Sequence, residues 1–481
     1  MKHYLLLCAL LLTLVSCRFE VDNEIKTPPS KSIQPWEENP RYWAWDGQEP
    51  VLLLGASSND NLFQSPGYYQ ELGALAKAGG NYIRCTMSSR DDGDRWPFAL
   101  DSQSGKYDLR RFDSTYWSNF AGLLSRAAEL DIVVQIEIWD RFDYSRSPWQ
   151  NNPFNPLNNQ VFPIGADSLL SSIYPLHPSS DVQPFFHTVP GLPLYRPELD
   201  ALRKHQKGLV DQLLSISLPY GNVLYCINNE TSTPPAWGYY WADYVHQRAR
   251  AAGKKVYVTD MFDNFYRPRQ CPDCLAAIQD TTHYDFLDIS QVNGRHFKRN
   301  HWDTVNLVLS LAKDAPERPI NCTKVYGGGN SGWGSGTNAD GIARFNRDLL
   351  AGVASVRHHR PPHGNGISGA ALSSIRAART IEKRIKFWDL QPAQEVLAGP
   401  PKDIYAAKDQ KGNILIYLPT AGEVILRPNL EKQVPIKFTV IGYLGTQRSE
   451  TLQPPYQEEF RLFTEEERGG WMMLELLEET Y

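Results

Sequence analysis

Short apolar runs alternate with longer segments of helical spacing through most of the chain. Val51–Gly55 is an apolar run. Tyr68–Ala78 follows with Leu72, Leu75 and Ala76 on one helical face, and Gly79-Gly80 stops it. Asn81–Met87 is the next run. Tyr116–Leu130 then carries Phe120, Leu123, Leu124, Ala127 and Ala128 at helical spacing, and Ile132–Trp139 reads as a strand. A polar insertion rich in Pro and Asn covers residues 140 to about 195. Pro197 opens a helix marked by Leu199, Leu202, Leu209, Val210 and Leu213.

The alternation continues. Asn222–Ile227, Lys255–Val258, Phe286–Ser290 and Pro319–Tyr326 read as strands, and Trp237–Ala252, Trp302–Leu311, Ile342–Ala351 and Ala371–Trp388 as helices. A weaker helix includes Cys274–Ala277. The eighth strand falls at Val353–His358 or at Gly366–Ala370, and the pattern does not choose. Continuous apolar strands between helices predict a parallel sheet covered on both faces. Eight such pairs fit a closed α/β barrel, a (β/α)8 TIM barrel over 35–390. From 391 to 481 the texture changes to short runs (404–407, 413–418, 423–426, 436–440, 460–462, 471–476) split by turn residues, which predicts a small all-β sandwich.

The start of the chain has a different pattern. Tyr4–Val15 is apolar after Lys2 and His3, too short for the ~30 Å of a bilayer. Residues 1–16 therefore read as a signal peptide. Leu14-Val15-Ser16-Cys17 resembles a bacterial lipobox, which implies acylation of Cys17, with 17–34 as a lipid-anchored tether. An exported protein anchored to a bacterial envelope is the expectation.

Composition narrows the class. The 481 residues are 42% hydrophobic and 21% charged, which excludes a disordered chain. The net charge of −5 is spread without a basic tract, so no nucleic-acid partner is expected. No GxGxxG follows the first strand, so no dinucleotide, and no other cofactor, is expected. Cys271-Pro-Asp-Cys274 could close a local disulfide, while Cys85, Cys226 and Cys322 read as buried free thiols. A monomer is expected.

In a barrel of this kind chemistry sits at the carboxyl ends of the strands. Those ends carry Asp60; Arg84 with Arg90; Glu137, Trp139, Asp140 and Asp143; Asn228, Asn229 and Glu230; Asp260 with Asp263; Asp288 with Gln291; Lys324 with Tyr326; and His358, His359 and His363. Adjacent histidines rarely converge on one ion, so no metal is expected.

Five segments carry a resemblance: Asn81-Tyr82-Ile83-Arg84, Glu137–Tyr144, Trp149–Pro156, Asn229-Glu230 and Ser290–Asn293. The chain resembles bacterial lipoproteins of the apiosidase-like glycoside hydrolase group, which often end in a small β-domain named for collagen binding. The resemblance implies that Glu230 is the general acid/base and that Asn229 meets a sugar hydroxyl, with burial raising the glutamate's pKa. It also implies a nucleophilic Glu at the end of strand seven. Lys324 stands there instead, and no Asp or Glu lies between Arg318 and Asn338. Another rim acid would have to serve. Asp140 is favoured over Glu137, Asp143, Asp260 and Asp288.

The expected chemistry is cleavage of a glycosidic bond by Glu230 and Asp140. The other candidates for substrate binding are Arg84, Glu137, Trp139, Asp143, Asn229, Asp260, Asp288, Gln291, Lys324, Trp333 and His358. Trp139, Trp149 and Trp333 offer flat faces for sugar rings, and Trp237, inside a helix, reads as core. The alternatives are a silent glycan-binding barrel, and a partner-binding role for the β-domain.

Overall fold

The computed structural model describes residues 31–162, 168–329, 334–399, 403–427, 434–443, 445–454, 456, 459–464 and 469–477. The signal segment 1–16, Cys17, most of the 17–34 tether, and Trp333 lie outside the described residues.

Eight parallel strands form the barrel: Leu53–Ala56, Tyr82–Thr86, Val133–Asp140, Val223–Asn229, Val258–Thr259, Leu287–Asp288, Ile320–Val325 and Ser355–His358. They pair in the order five, four, three, two, one, eight, seven, six. An isolated parallel bridge between Met261 and Asp288 and the Asp285 N–H to Val258 carbonyl bond (2.8 Å) link the two ends. The eighth strand is thus the first of the two candidate segments. The fifth and sixth strands are only two residues each, shorter than their apolar runs.

The helices form where periodicity and caps agree. Ser114–Glu129 buries Tyr116, Trp117, Phe120, Leu123, Leu124, Ala127 and Ala128, and the Asp113 carboxylate caps it by accepting from the Tyr116 N–H at 2.7 Å. Asn338–Ala351 begins with a capping box of Thr337 and Asp340 and stops at Gly352, whose φ of 99° suits glycine. The last barrel helix, Gly369–Glu382, ends six residues before Trp388, the expected end.

A three-stranded antiparallel sheet, Ile33–Pro35, Trp43–Trp45 and Glu49–Val51, precedes the barrel and was not expected from the residue pattern. Its Trp43 closes the amino-terminal end of the barrel. The indole N–H donates to Asn321 Oδ1 at 2.8 Å, and the ring packs edge-on against Tyr257 and Phe286. Above Trp43 the interior is polar. Tyr82 donates to Gln135 (2.6 Å), Gln135 to Asp288 (2.7 Å), and Thr323 to the same carboxylate (2.9 Å). Tyr82, Gln135, Thr323 and Asp288 thus satisfy one another, as burial in a low dielectric demands.

The insertion folds on itself over the rim. Asn155 donates to the Trp149 carbonyl (2.9 Å), Asn152 to the Asp143 carbonyl (3.0 Å), and Asn159 to the Asn155 carbonyl (2.9 Å). The Trp149–Pro156 motif is therefore a structural brace, and Trp149 is fully buried.

The tail is all antiparallel, with a six-stranded sheet and a two-stranded one. Alternation along the strands divides the larger sheet. Ile414, Ile416, Met472 and Leu474 face Val424, Leu426 and Leu462 of the small sheet. Leu415, Tyr417, Trp471 and Met473 join the barrel's own core. Cys271 and Cys274 form a disulfide, and Cys85, Cys226 and Cys322 are buried free thiols.

Candidate active site

At the carboxyl ends of the strands lies a cavity of about 670 Å³. Its lining includes Glu230, Lys324, Tyr326, Asn229, Asp263, Gln291 and Asp60.

Glu230 follows strand four with φ of 57°. Only glycine enters this left-handed region freely, and a residue with a side chain holds it at a cost of about 1–2 kcal/mol. Such strain concentrates at functional sites. The conformation presents the carboxylate to the cavity, where it keeps 21% of its surface exposed. Glu230 Oε1 accepts from Lys324 Nζ at 2.5 Å and from the Tyr326 hydroxyl at 3.1 Å. Lys324 is otherwise sealed in and also donates to Asn229 Oδ1 at 2.5 Å. Tyr326 in turn receives the Gln291 amide at 3.2 Å.

This pairing reverses one expectation. Burial does push the Glu230 pKa upward, but the Lys324 charge and hydrogen bond, aided by Arg141 and Arg84, outweigh it and hold the carboxyl down at about 2. Glu230 is ionised, so it carries no proton to donate at neutral pH.

The second carboxylate open to the cavity near Glu230 is Asp263, in the loop after strand five. Burial raises its pKa to about 6 against the pull of Arg141, with which it forms an ion pair, and the Glu230 charge adds to the rise. Asp60 differs. Arg84, His359, Arg360 and Arg357 surround it and hold it well below the usual carboxylate range. It is a fixed counter-ion.

Several expected site residues lie behind the cavity wall. Asp140 is not among its lining residues. Its carboxylate is spent on Arg90, the Asn229 amide (2.9 Å) and the Phe142 N–H (3.1 Å), because the strand's last residue turns into a short 3₁₀ helix. Asp143 accepts from the Ser88 hydroxyl (2.7 Å) and the Ser89 N–H (2.9 Å), and burial raises it to about 7. Glu137 lies below the floor against Arg84 (2.5 Å), and burial raises its pKa. Asp260 braces Asn228, accepting its N–H at 3.0 Å, and burial lifts it to about 7. Asp288 belongs to the polar barrel interior.

Two more corrections concern rings. Trp139 is 1% exposed and sits among Phe185, Trp237 and Trp241, so it is core and not a sugar platform. His358 points away from the cavity, stacked on Phe345 at 4.4 Å and bonded to Ser374. Its neighbour His359 faces the cavity, since consecutive residues of a strand point oppositely. The structure brings together Arg84, Asn229, Glu230, Gln291 and Lys324 of the expected set. Sequence reasoning placed Asp60, Arg90, Asp263, Tyr326 and His359 on the rim without choosing them. It missed Arg146, His177, Tyr266, Arg295 and Arg360, which come from loops with no motif.

No protein-family model matches the chain, and no curated protein does. Solved structures do match in fold. A glycoside hydrolase family 5 protein from Bacteroides vulgatus superposes with a TM-score of 0.61 at 11% identity, covering 94% of this chain and 95% of that one. A second structure, a glycoside hydrolase, gives 0.57 at 11% identity over 92% of this chain and 96% of its own. The chain therefore shares the fold of these structures over nearly its whole length. At such identity the likeness is one of fold.

Proposed function

We propose that the chain is a glycoside hydrolase that cleaves an oligosaccharide or polysaccharide in this cavity, with Glu230 and Asp263 as the working pair. The observation that carries the reading is geometric: two carboxylates line one cavity, one paired with Lys324 and the other with Arg141. Acid/base roles divide where two carboxyls are pushed apart in pKa. Asp263, raised to about 6, holds a proton in mildly acidic solution and can deliver it to a leaving glycosidic oxygen. Glu230, ionised by Lys324, can act on the anomeric centre as a base or a nucleophile. Lys324, Tyr326 and Gln291 orient Glu230, and Asn229 fixes Lys324 from the other side. The expected division of labour, with Glu230 as acid, is thereby exchanged.

The test is release of reducing sugar from a broad glycan panel. Glu230→Gln and Asp263→Asn should each abolish hydrolysis and leave oligosaccharide affinity within a few-fold. Undiminished turnover in either variant would overturn the assignment.

One observation favours a second reading. Lys324 occupies the position where the resemblance calls for a nucleophile, and it neutralises Glu230. A barrel that binds glycan without cleaving it would show this. Wild-type inactivity over the whole panel, with binding retained, would select that reading. Export and anchoring through Cys17 is part of the proposal, supported by the apolar run before Ser16-Cys17. Globomycin-sensitive processing and labelling with palmitate test it.

A further inference from the structure

The charges around the cavity are unequal. Six cationic side chains line it against three carboxylates. Most of the cations have partners. Arg84 and Arg360 hold Asp60, Arg90 is bound by Asp140 and Asp143, and Lys324 holds Glu230. The third lining carboxylate, Asp263, is met by Arg141 from outside the lining. Two cations remain, Arg146 and Arg295, which pair with no carboxylate among the described residues. Both are exposed.

These two are not loose surface arginines. The Arg146 guanidinium lies 5.7 Å from the Phe142 ring centroid, and that of Arg295 lies 4.5 Å from the Tyr266 ring. All four residues line the cavity. A ring under the planar cation orders it and leaves its N–H edge available. Arg146 also holds a left-handed φ of 58° and donates its backbone N–H to the Tyr174 carbonyl at 2.6 Å.

A planar guanidinium with free N–H groups matches a carboxylate or a sulfate through paired, charge-assisted hydrogen bonds. A neutral sugar has no charge to meet it. We propose that the cavity takes an anionic saccharide, a uronate or a sulfate-bearing sugar, whose charge is met by Arg146 and Arg295. This inference rests on the cavity being a sugar site, and it extends that reading to the substrate's charge.

The test is calorimetric titration of the full chain. The probes are uronate-bearing tetrasaccharides, a sulfated galactan tetrasaccharide, and neutral xylotetraose and mannotetraose. At least one acidic class should bind more tightly than either neutral probe, and weaken when salt is raised to about 0.3 M. Arg146→Gln and Arg295→Gln should each weaken the acidic ligand about tenfold, the loss expected of one charge-assisted contact. They should leave the neutral probes unchanged. The uronate and sulfate arms separate the two anions. Equal or tighter binding of neutral sugars, or full affinity for acidic sugars in both variants, would overturn the inference. Binding of acidic sugars without cleavage would leave it standing and defeat the hydrolase reading. Cleavage of neutral sugars with no acidic binding would do the reverse.

Discussion

The Lys324 ammonium and the Glu230 carboxylate, delivered by the seventh and fourth strands, meet at 2.5 Å at the floor of the cavity. The contact decides which proton forms are present. It keeps Glu230 charged in a place where burial alone would favour the neutral acid.

The pH dependence of hydrolysis follows from this. Activity requires Glu230 ionised and Asp263 protonated. The first condition holds above about 2 and the second below about 6. The profile of kcat/KM should be a bell lying between these values, with its alkaline limb set by Asp263. A steady-state profile over this range checks it, and activity that keeps rising above neutrality would contradict the assignment. The same groups bear on folding. Glu230, depressed in the folded state, contributes stability that is complete above its unfolded pKa and is lost as pH falls through about 2. Asp263, raised in the folded state, acts oppositely: its unfavourable contribution sets in as pH rises toward and through about 6.

Removing the cation should reverse the Glu230 shift. In Lys324→Met the glutamate keeps its desolvation and loses its main counter-charge, so its pKa should move above the ordinary carboxylate value. The acid limb of the rate profile should then rise by more than 2 pH units, judged from a starting value near 2. Unfolding free energy should fall by roughly 3 kcal/mol, the lower end for breaking a buried pair, because Glu230 retains contact with water. Denaturant titration at pH 7 measures it.

Trp139→Ala separates core from platform. The ring is enclosed by Phe185, Trp237 and Trp241, so its loss should cost about 3–5 kcal/mol in unfolding free energy. A variant of wild-type stability that shows only a raised KM would restore the platform role.

The β-domain shares its core with the barrel. Tyr417 and Trp471 pack in the same cluster as Phe387, and Arg384 pairs with Glu475 and donates to Thr439 at 2.8 Å. A chain ended after Leu390 should expose this apolar face, melt at lower temperature and bind ANS. A truncated barrel with the wild-type melting temperature would show that the tail is an independent appendage.

The barrel was legible because its strands are continuous apolar runs and its helices keep their spacing. The tail was legible through its short alternating runs. The N-terminal sheet was not, since Trp43-Ala44-Trp45 and Glu49-Pro50-Val51 are too short to carry a period. At the site, a position at a strand end was enough to find Glu230, Lys324 and Gln291. It could not separate Asp263 from Asp140, because which acid faces the cavity depends on how each loop turns. Asp140 is captured by the backbone of its own 3₁₀ turn, and Asp263 is carried past the strand end. Trp139 was misplaced because the helix that buries it, Pro235–Ala251, comes from a distant part of the chain. Arg146 and Arg295 were invisible because what marks them, an aromatic ring beneath and no ion-paired carboxylate among the described residues, exists only in three dimensions.

Position 230 holds a backbone shape in which glycine would be at ease and glutamate is not. The ion pair with Lys324 stabilises the folded chain, yet it is made by a residue whose own backbone is strained. A library passaged for heat resistance with its catalytic duty lifted should lose Glu230 and Lys324 only together, because either alone leaves a buried charge unpaired, whereas one passaged on glycan should keep both.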